Sequence, residues 1–484
     1  MKLRRTFSLL ASVGLLFGAG LVSDAAAKTP AKQPNIVYII ADDQGWADVG
    51  YHGSDIKTPN IDALANGGMR LEQFHAQPLC TQTRSALMTG RYPYRTGMQS
   101  AVIPSNGDYG LDTDERTLPQ ALKDAGYYTA MVGKWHIGHA NEKYWPRQRG
   151  FDYHYGAVLG EIDYFTHSAH GKTDWYRNNE LVHEDGYATD LFGDDAVRLI
   201  REYDGKKPMF LYLAFTAPHS PFQAPEHYQA RNPQITEPTR RAYAGMVTAL
   251  DDQVGRVVAE LKKRGMLENT LIVYQSDNGG VRSSKFAGEA DVSKLVLPAS
   301  NGPYRDGKGT LYEGGTRVIA LANWKGHIKP GTVNNGQMHV VDVYPTLIKL
   351  AGGSLEQPKP IDGMDMGPML TKGVPSPRTT TIYSVEPQQA AVLKDGWKLV
   401  WRTTLPSSVE LFELGKDPYE KNNLAAANPA KVAELQQLLE AEAKAAAPSK
   451  FITNAFGAMM PILFGATNLP GQEGAEEHSI DAIP

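Results

Sequence analysis

Short apolar runs that stop abruptly in polar residues recur along the first three quarters of the chain. Asn35 to Ala41 (NIVYIIA), Tyr127 to Val132, Met209 to Phe215, Leu271 to Gln275 and Arg317 to Ala322 have the length and composition of buried strands. Helical spacing lies between them. Thr58 and Pro59 open a segment with Ile61, Leu64 and Ala65 on one side and Gly67-Gly68 as its stop. Thr117 to Asp124 forms a second helix, ended by Gly126, and Met246, Leu250, Val254, Val257 and Leu261 form the stripe of a long third one ending near Gly265. Strands alternating with helices predict an α/β fold: a large mixed, mostly parallel sheet sandwiched by helices.

The pattern changes near Pro375–Pro377. Short strands at Thr381–Ser384, Ala391–Leu393 and Lys398–Trp401, then a helix from Pro429 to about Ala446, predict a small C-terminal α+β subdomain carrying a short antiparallel sheet. From Pro448 the apolar stretch Phe451 to Phe464, broken by Gly457 and Pro461, is too short to span a bilayer and reads as an extended arm packed on the body. At the other end, Lys2, Arg4 and Arg5 precede the apolar run Leu9 to Val22 and the small residues Ala25-Ala26-Ala27, the layout of a signal peptide. Arg4-Arg5-Thr6-Phe7 also fits a twin-arginine signal. The expected organisation is therefore a signal peptide at 1–27, a catalytic α/β domain at 28–376, a subdomain at 377–447 and an arm at 448–484. The product is exported, periplasmic or secreted, without a stable membrane anchor.

Composition narrows the function. A net charge of −4 over 484 residues, with 21% charged and 42% hydrophobic residues, gives no basic face for nucleic acid. The chain has one cysteine, Cys80, which excludes an internal disulfide. A lone cysteine is by default an inert buried thiol. Its neighbours argue otherwise. In CTQTRSALMTGR (80–91), Thr81 or Thr83 can cap a short helix that Gly90 ends, which puts Cys80 where the helix dipole favours an anion and Arg84 one turn on.

The polar residues after each strand complete the picture, because open α/β sheets bind ligands beyond the carboxyl ends of their strands. The first strand ends in Asp42-Asp43, and the Leu271 strand runs into Ser276-Asp277-Asn278. Either pair alone suits a turn, but two such pairs at one rim predict a hard-oxygen site for Ca²⁺ or Mg²⁺. Lys134 and His136 follow the Tyr127 strand and share a side if the segment stays extended, a cation and an imidazole suited to an anionic substrate and a proton transfer. His219 lies between two prolines and Lys308 on a Gly-rich loop; singly, each suits a structural or surface role.

These segments resemble the sulfatase family, within the alkaline phosphatase superfamily. The resemblance runs over most of the chain, through NIVYIIADDQGWADVG, the Cys80 segment, GYYTAMVGKWHIGH, APHSPF, SDNGG, GKGTLYEGGTR and, at 410–425, ELFELGKDPYEKNNLA. Gly97-Met98-Gln99 and Arg149-Gly150-Phe151-Asp152 look most like the arylsulfatase B and N-acetylgalactosamine sulfatase branch, which acts on sulfated amino sugars. The resemblance implies that a maturation enzyme oxidises Cys80 to formylglycine (3-oxoalanine), whose hydrate attacks sulfur and later expels sulfate by C–O cleavage. It implies one calcium ion held by Asp42, Asp43, Asp277, Asn278 and residue 80. Arg84 would hold the diol, His136 assist collapse of the sulfated intermediate, His219 protonate the leaving oxygen, and Lys134 and Lys308 grip the sulfate. Substrates would be sulfated carbohydrates or aryl sulfates. The loop between Asp152 and His183, rich in Tyr, His, Asp, Trp and Arg, suits either sugar recognition or ordinary surface. One residue departs from the pattern: Gln82 stands where the Cys-x-Pro-x-Arg motif has proline or alanine. A phosphate or phosphonate ester hydrolase of the same superfamily, or a sulfated-glycan binder with an unconverted thiol, are the alternatives.

Overall fold

The computed structural model describes residues 33–283 and 296–464, with side chains described up to Gly457; the signal-peptide segment lies outside them. From Gln33 onward the described chain belongs to one compact unit. Its centre is a ten-stranded sheet in the order Thr332–Asn334, Met69–Leu71, Ala320–Asn323, Thr270–Ser276, Asn35–Ala41, Met209–Ala214, Tyr128–Gly133, Tyr153–Gly156, Tyr176–Arg177, Glu180–Leu181. The five strands from Thr270–Ser276 to Tyr153–Gly156 are parallel. Ala320–Asn323 runs antiparallel to both of its neighbours.

The Asn35–Ala41 strand shows why its sequence is apolar throughout. Ile36, Tyr38 and Ile40 enter one core while Val37, Ile39 and Ala41 enter the other, so both faces are covered. On one side lie Ala188–Glu202 and the 26-residue helix Pro238–Lys263. Pro238 occupies its first turn, and the Glu237 carboxylate accepts from the Thr239 and Arg240 amides, so this end needs no further cap. On the other side lie Cys80–Thr89, Leu118–Asp124 and Val343–Leu350.

A separate four-stranded antiparallel sheet follows, built from Thr380–Val385, Gln389–Lys394, Trp397–Arg402 and Ser408–Glu413. Three of these strands match the alternation in the sequence. The fourth, Ser408–Glu413, runs into the start of ELFELGKDPYEKNNLA and carries no strand expectation from the sequence. The helix Pro429–Lys444 buries Leu435 and Leu439 against the common core.

The fold corrects several local expectations. The segment after Pro448 is not extended: Lys450–Phe464 is a helix. Residues 317–319 precede the Ala320–Asn323 strand, because Glu313–Thr316 forms a helical turn that Arg317 ends. Thr58 occupies the N-cap position without capping; its hydroxyl donates to Asp62 and accepts from the Gly50 amide. Neither Thr81 nor Thr83 caps the Cys80 helix, whose N-cap residue is Leu79. The Thr83 hydroxyl instead exchanges hydrogen bonds with the Gln77 backbone. Gly90 ends that helix in the left-handed conformation (φ 67°), as its position predicts.

Candidate active site

Four parallel strands deliver polar residues to one rim. Asn35–Ala41 leads into Asp42 and Asp43, Thr270–Ser276 into Asp277 and Asn278, Tyr128–Gly133 into Lys134 and His136, and Met209–Ala214 into the loop carrying His219. The Cys80–Thr89 helix points its first residue at this rim from the adjacent layer, with Cys80 only 1% exposed. Lys308 arrives on the Gly-rich loop, and its ammonium donates to Asp43 at 2.8 Å. All the residues singled out in the sequence are thereby brought together.

The contacts are specific. Cys80 Sγ donates to Asp42 Oδ1 at 3.4 Å. Asp42, Asp43, Cys80 and His219 each offer one ligand atom within 4.8 Å of the others. Arg84 Nε and Nη2 both reach Asp277 Oδ2, at 3.1 and 2.9 Å, and Nη1 donates to the Lys134 carbonyl at 2.9 Å. Lys134 Nζ pairs with Asp42. His219 Nδ1 donates to the Ser220 carbonyl at 2.6 Å, and its Nε2 lies 3.6 Å from Asp43 Oδ2. Lys134 and His136 do not share one extended strand face: the chain leaves extended geometry, and His136 adopts φ 60°.

Burial and charge set the protonation states. Burial pushes the Cys80 thiol well up, and the Asp277 and Asp42 carboxylates reinforce it, so an unconverted thiol here is protonated and a poor nucleophile. Burial pushes the His136 imidazole well down, helped by Lys134 and Arg84. Its Nε2 lies 3.3 Å from the Ile103 carbonyl, and Nδ1 has no hydrogen-bond partner among the described residues. With the proton on Nε2, Nδ1 is left as a bare proton acceptor. Asp42 is held low because Lys134, His219 and Arg84 outweigh its burial.

Asn278 shows how the acidic cluster suits a cation. Its Nδ2 donates to Asp43 Oδ1 at 2.8 Å and to the Gly279 carbonyl at 2.9 Å, while its buried Oδ1 has no hydrogen-bond donor among the described residues. A bare amide oxygen beside buried carboxylates costs free energy unless a positive ion meets it. Beside the Cys80 sulfur and the His219 ring nitrogen, the donors are carboxylate and amide oxygens, which suit Ca²⁺ or Mg²⁺.

Above the cluster opens a cavity of about 630 Å³. Cys80, His136, His219 and Lys308 line it, together with the 100–105 loop, Leu159, Gly160, Glu161, His170, Gln388 and Phe451. Only part of the 152–183 loop serves this surface. Tyr155, Tyr164 and Trp175 are buried in the core instead, so most of its aromatic content is packing. Gly160 is required by close approach: a Cβ there would sit 2.3 Å from His136 Cε1 and Nε2.

Sequence reasoning missed several supporting residues. The Thr81 hydroxyl donates to the His136 carbonyl and accepts from the Ile103 amide, tying the Cys80 helix to both. Tyr164 Oη reaches the Thr216 and His219 carbonyls at 2.7 and 2.9 Å and holds the His219 loop. Asn301 brackets Gly280 by accepting from its amide and donating to its carbonyl. Thr81 was visible inside the Cys80 motif; the other two carry no local signal.

The model of the family described as Sulfatase matches residues 34–354, the segment that supplies every residue of this cluster. The chain belongs to the sulfatase family. A second model, N-sulphoglucosamine sulphohydrolase C-terminal, matches residues 304–447. The sulfatase is 37% identical to arylsulfatase J of Mus musculus over 78% of its own length and 63% of that protein. It is 32% identical to N-acetylgalactosamine-6-sulfatase of Homo sapiens, covering 79% of this chain and 74% of that one. Among solved structures, Ps i-CgsB in complex with k-i-k-neocarrahexaose is 33% identical with a TM-score of 0.79, covering 89% of the sulfatase and 98% of that chain. These relatives make it a sulfuric ester hydrolase.

Proposed function

We propose that this sulfatase is an exported enzyme that releases inorganic sulfate from a sulfated carbohydrate, using formylglycine made from Cys80 and one calcium ion. The placement of Cys80 carries the reading. It heads a helix, sits against Asp42 and opens onto the same cavity as His136, His219 and Lys308. The names of the relatives, an N-acetylgalactosamine-6-sulfatase and a protein complexed with neocarrahexaose, support a sugar as the esterified group. The charged, apolar and small-residue succession of residues 1–27 supports export. The Leu271-strand and Asp42-Asp43 oxygens, with the bare Asn278 Oδ1, support calcium.

When present, the converted residue supplies a hydrated aldehyde as oxygen nucleophile and the calcium ion supplies Lewis acidity. Asp42, Asp43, Asp277 and Asn278 would hold the ion together with residue 80. The chain's own groups do the rest. Arg84, fixed on Asp277, stands one helical turn from residue 80 and holds positive charge beside it. Lys134 and Lys308 place two further cations where a sulfate monoester, with weakly basic oxygens, develops charge. His219, whose Nδ1 is committed to Ser220, protonates the departing alcohol oxygen from Nε2. His136 accepts at Nδ1 the proton that must leave residue 80 when sulfate is released.

The test is the mass of the tryptic peptide spanning residue 80, from protein made in its native host, paired with sulfate release from carrageenan oligosaccharides, N-acetylgalactosamine 6-sulfate and 4-nitrophenyl sulfate. An aldehyde or its hydrate with saccharide turnover is expected. An intact thiol with no sulfate release would falsify the catalytic reading. A strong preference for phosphate esters would replace it with the phosphohydrolase alternative. Cys80→Ser is expected to lose turnover in a host that modifies only cysteine.

A further inference from the structure

Among the walls of the cavity above Cys80, one comes from outside both matched family regions, which end at residue 447. Phe451 lies in the first turn of the Lys450–Phe464 helix, is partly exposed, and lines the same cavity as His136, His219 and Lys308. The helix is anchored for this placement. The Ala447 amide donates to the Tyr94 carbonyl and the Lys450 amide to the Gly97 carbonyl. Lys450 Nζ pairs with Asp112 at 2.8 Å, and Asn454 Nδ2 donates to Asp108 at 2.6 Å. Gly97, at φ 77°, admits the chain: a Cβ there would meet the Pro448 carbonyl at 2.8 Å. The same cavity is lined by polar groups from two other parts of the fold, Gln388 from the turn before the Gln389–Lys394 strand and the His170–Glu161 pair, whose ring nitrogen and carboxylate are 3.3 Å apart.

We propose that Phe451 is a specificity-determining residue: its ring is a platform for the sugar that carries the sulfate, or for the next sugar along the chain. The proposal rests on the carbohydrate reading above. An aromatic face binds the C–H face of a pyranose, and nearby amide, imidazole and carboxylate groups bind its hydroxyls. A cavity of about 630 Å³ admits more than a sulfate and a small aryl ring. Phe451 carries no group that could take part in bond making or breaking. Its contribution is therefore binding that is equal in the ground and transition states.

The prediction is a split between substrates and between kinetic constants. Full-length Phe451→Ala is expected to raise KM about tenfold on the saccharide that wild type turns over best, with kcat within twofold. Its kcat/KM on 4-nitrophenyl sulfate stays within twofold of wild type. Phe451→Trp keeps the saccharide KM near wild type. Equal losses on both substrates, or an unchanged saccharide KM in Phe451→Ala, overturn the proposal. Should wild type hydrolyse only the aryl ester, the carbohydrate reading itself falls. A thermal melt of each variant separates a lost platform from an undocked helix, and Asn454→Ala, which loosens the helix without touching the ring, is expected to raise the saccharide KM in the same direction.

Discussion

Gln82 is the residue at which this chain departs from its family's modification motif, and the fold gives it a task. It is buried in the first turn of the Cys80 helix, and its side-chain amide nitrogen donates to the Gln99 carbonyl. Proline could make no such bond. Cys80 and Gln82 are each 1% exposed, so an enzyme that reads an extended peptide cannot reach them in the folded protein. Unconverted, folded protein is expected to stay a thiol when incubated with a maturation enzyme, while a synthetic peptide of residues 76–91 is converted; peptide mass reads both. Asn278 supports a second prediction at this scale. Asn278→Ala removes the bare oxygen and is expected to weaken calcium binding by ten- to a hundredfold in a calorimetric titration, before any activity is measured. His154 supports a third. It is buried, its Nδ1 faces the Asn178 carbonyl, its Nε2 has no hydrogen-bond partner among the described residues, and burial pushes it down to about 4. The unfolded imidazole titrates near 6.5, so between pH 6.5 and 4 the unfolded chain holds more protons and stability falls as pH falls. That contribution is present in full above pH 6.5 and amounts to about 3 kcal/mol lost by pH 4. Melting curves of His154→Gln are expected to fall less steeply across this window than those of wild type.

At the scale of elements, the sequence was most legible where an apolar strand meets polar residues. The parallel strands could be read because burial on both faces demands unbroken apolar runs, and the site followed because their ends share a rim. What escaped was set by tertiary contact. Thr58 and Thr83 carry cap chemistry yet bond elsewhere, and Tyr155, Tyr164 and Trp175 carry recognition chemistry yet fill the core. The Ser408–Glu413 strand was hidden because its burial alternates weakly. The C-terminal motif it belongs to has a structural purpose. Glu420, a few residues on, accepts from the Glu313 amide at 2.7 Å, and Lys398 bridges Glu313 at 2.8 Å and Glu420 at 2.9 Å. All three are nearly inaccessible, and His75 adds a fourth group at 3.1 Å from Glu313. Burial and Glu313 push Glu420 up to about 7 against the pull of Lys398. Lys398→Met removes the one ammonium that bridges both carboxylates, leaving Glu313 only Arg317 at 3.4 Å, and is expected to cost about 3–5 kcal/mol in urea unfolding. Lys398→Met with Glu420→Gln should recover part of that loss.

For the whole molecule, the proposed calcium ion is expected to act as a stabiliser, because the groups that would hold it come from the ends of two separate strands and the start of the Cys80 helix. Ligand that binds only the folded state at a hundred times its dissociation constant adds about 2.7 kcal/mol. The melting temperature should therefore climb with calcium and drop on chelation, an effect that Asp277→Ala removes. No helix among the described residues is long and apolar enough to cross a membrane. The lining of the cavity also draws on residues far apart in the sequence, from Leu79 to Phe451. The wall that Phe451 supplies is thus made late in synthesis. At roughly 5–20 residues per second, a ribosome needs on the order of 20–75 s to travel from Cys80 to Phe451. On the formylglycine reading proposed above, a modifying enzyme would have at least that interval to reach residue 80 before the Phe451 wall is in place.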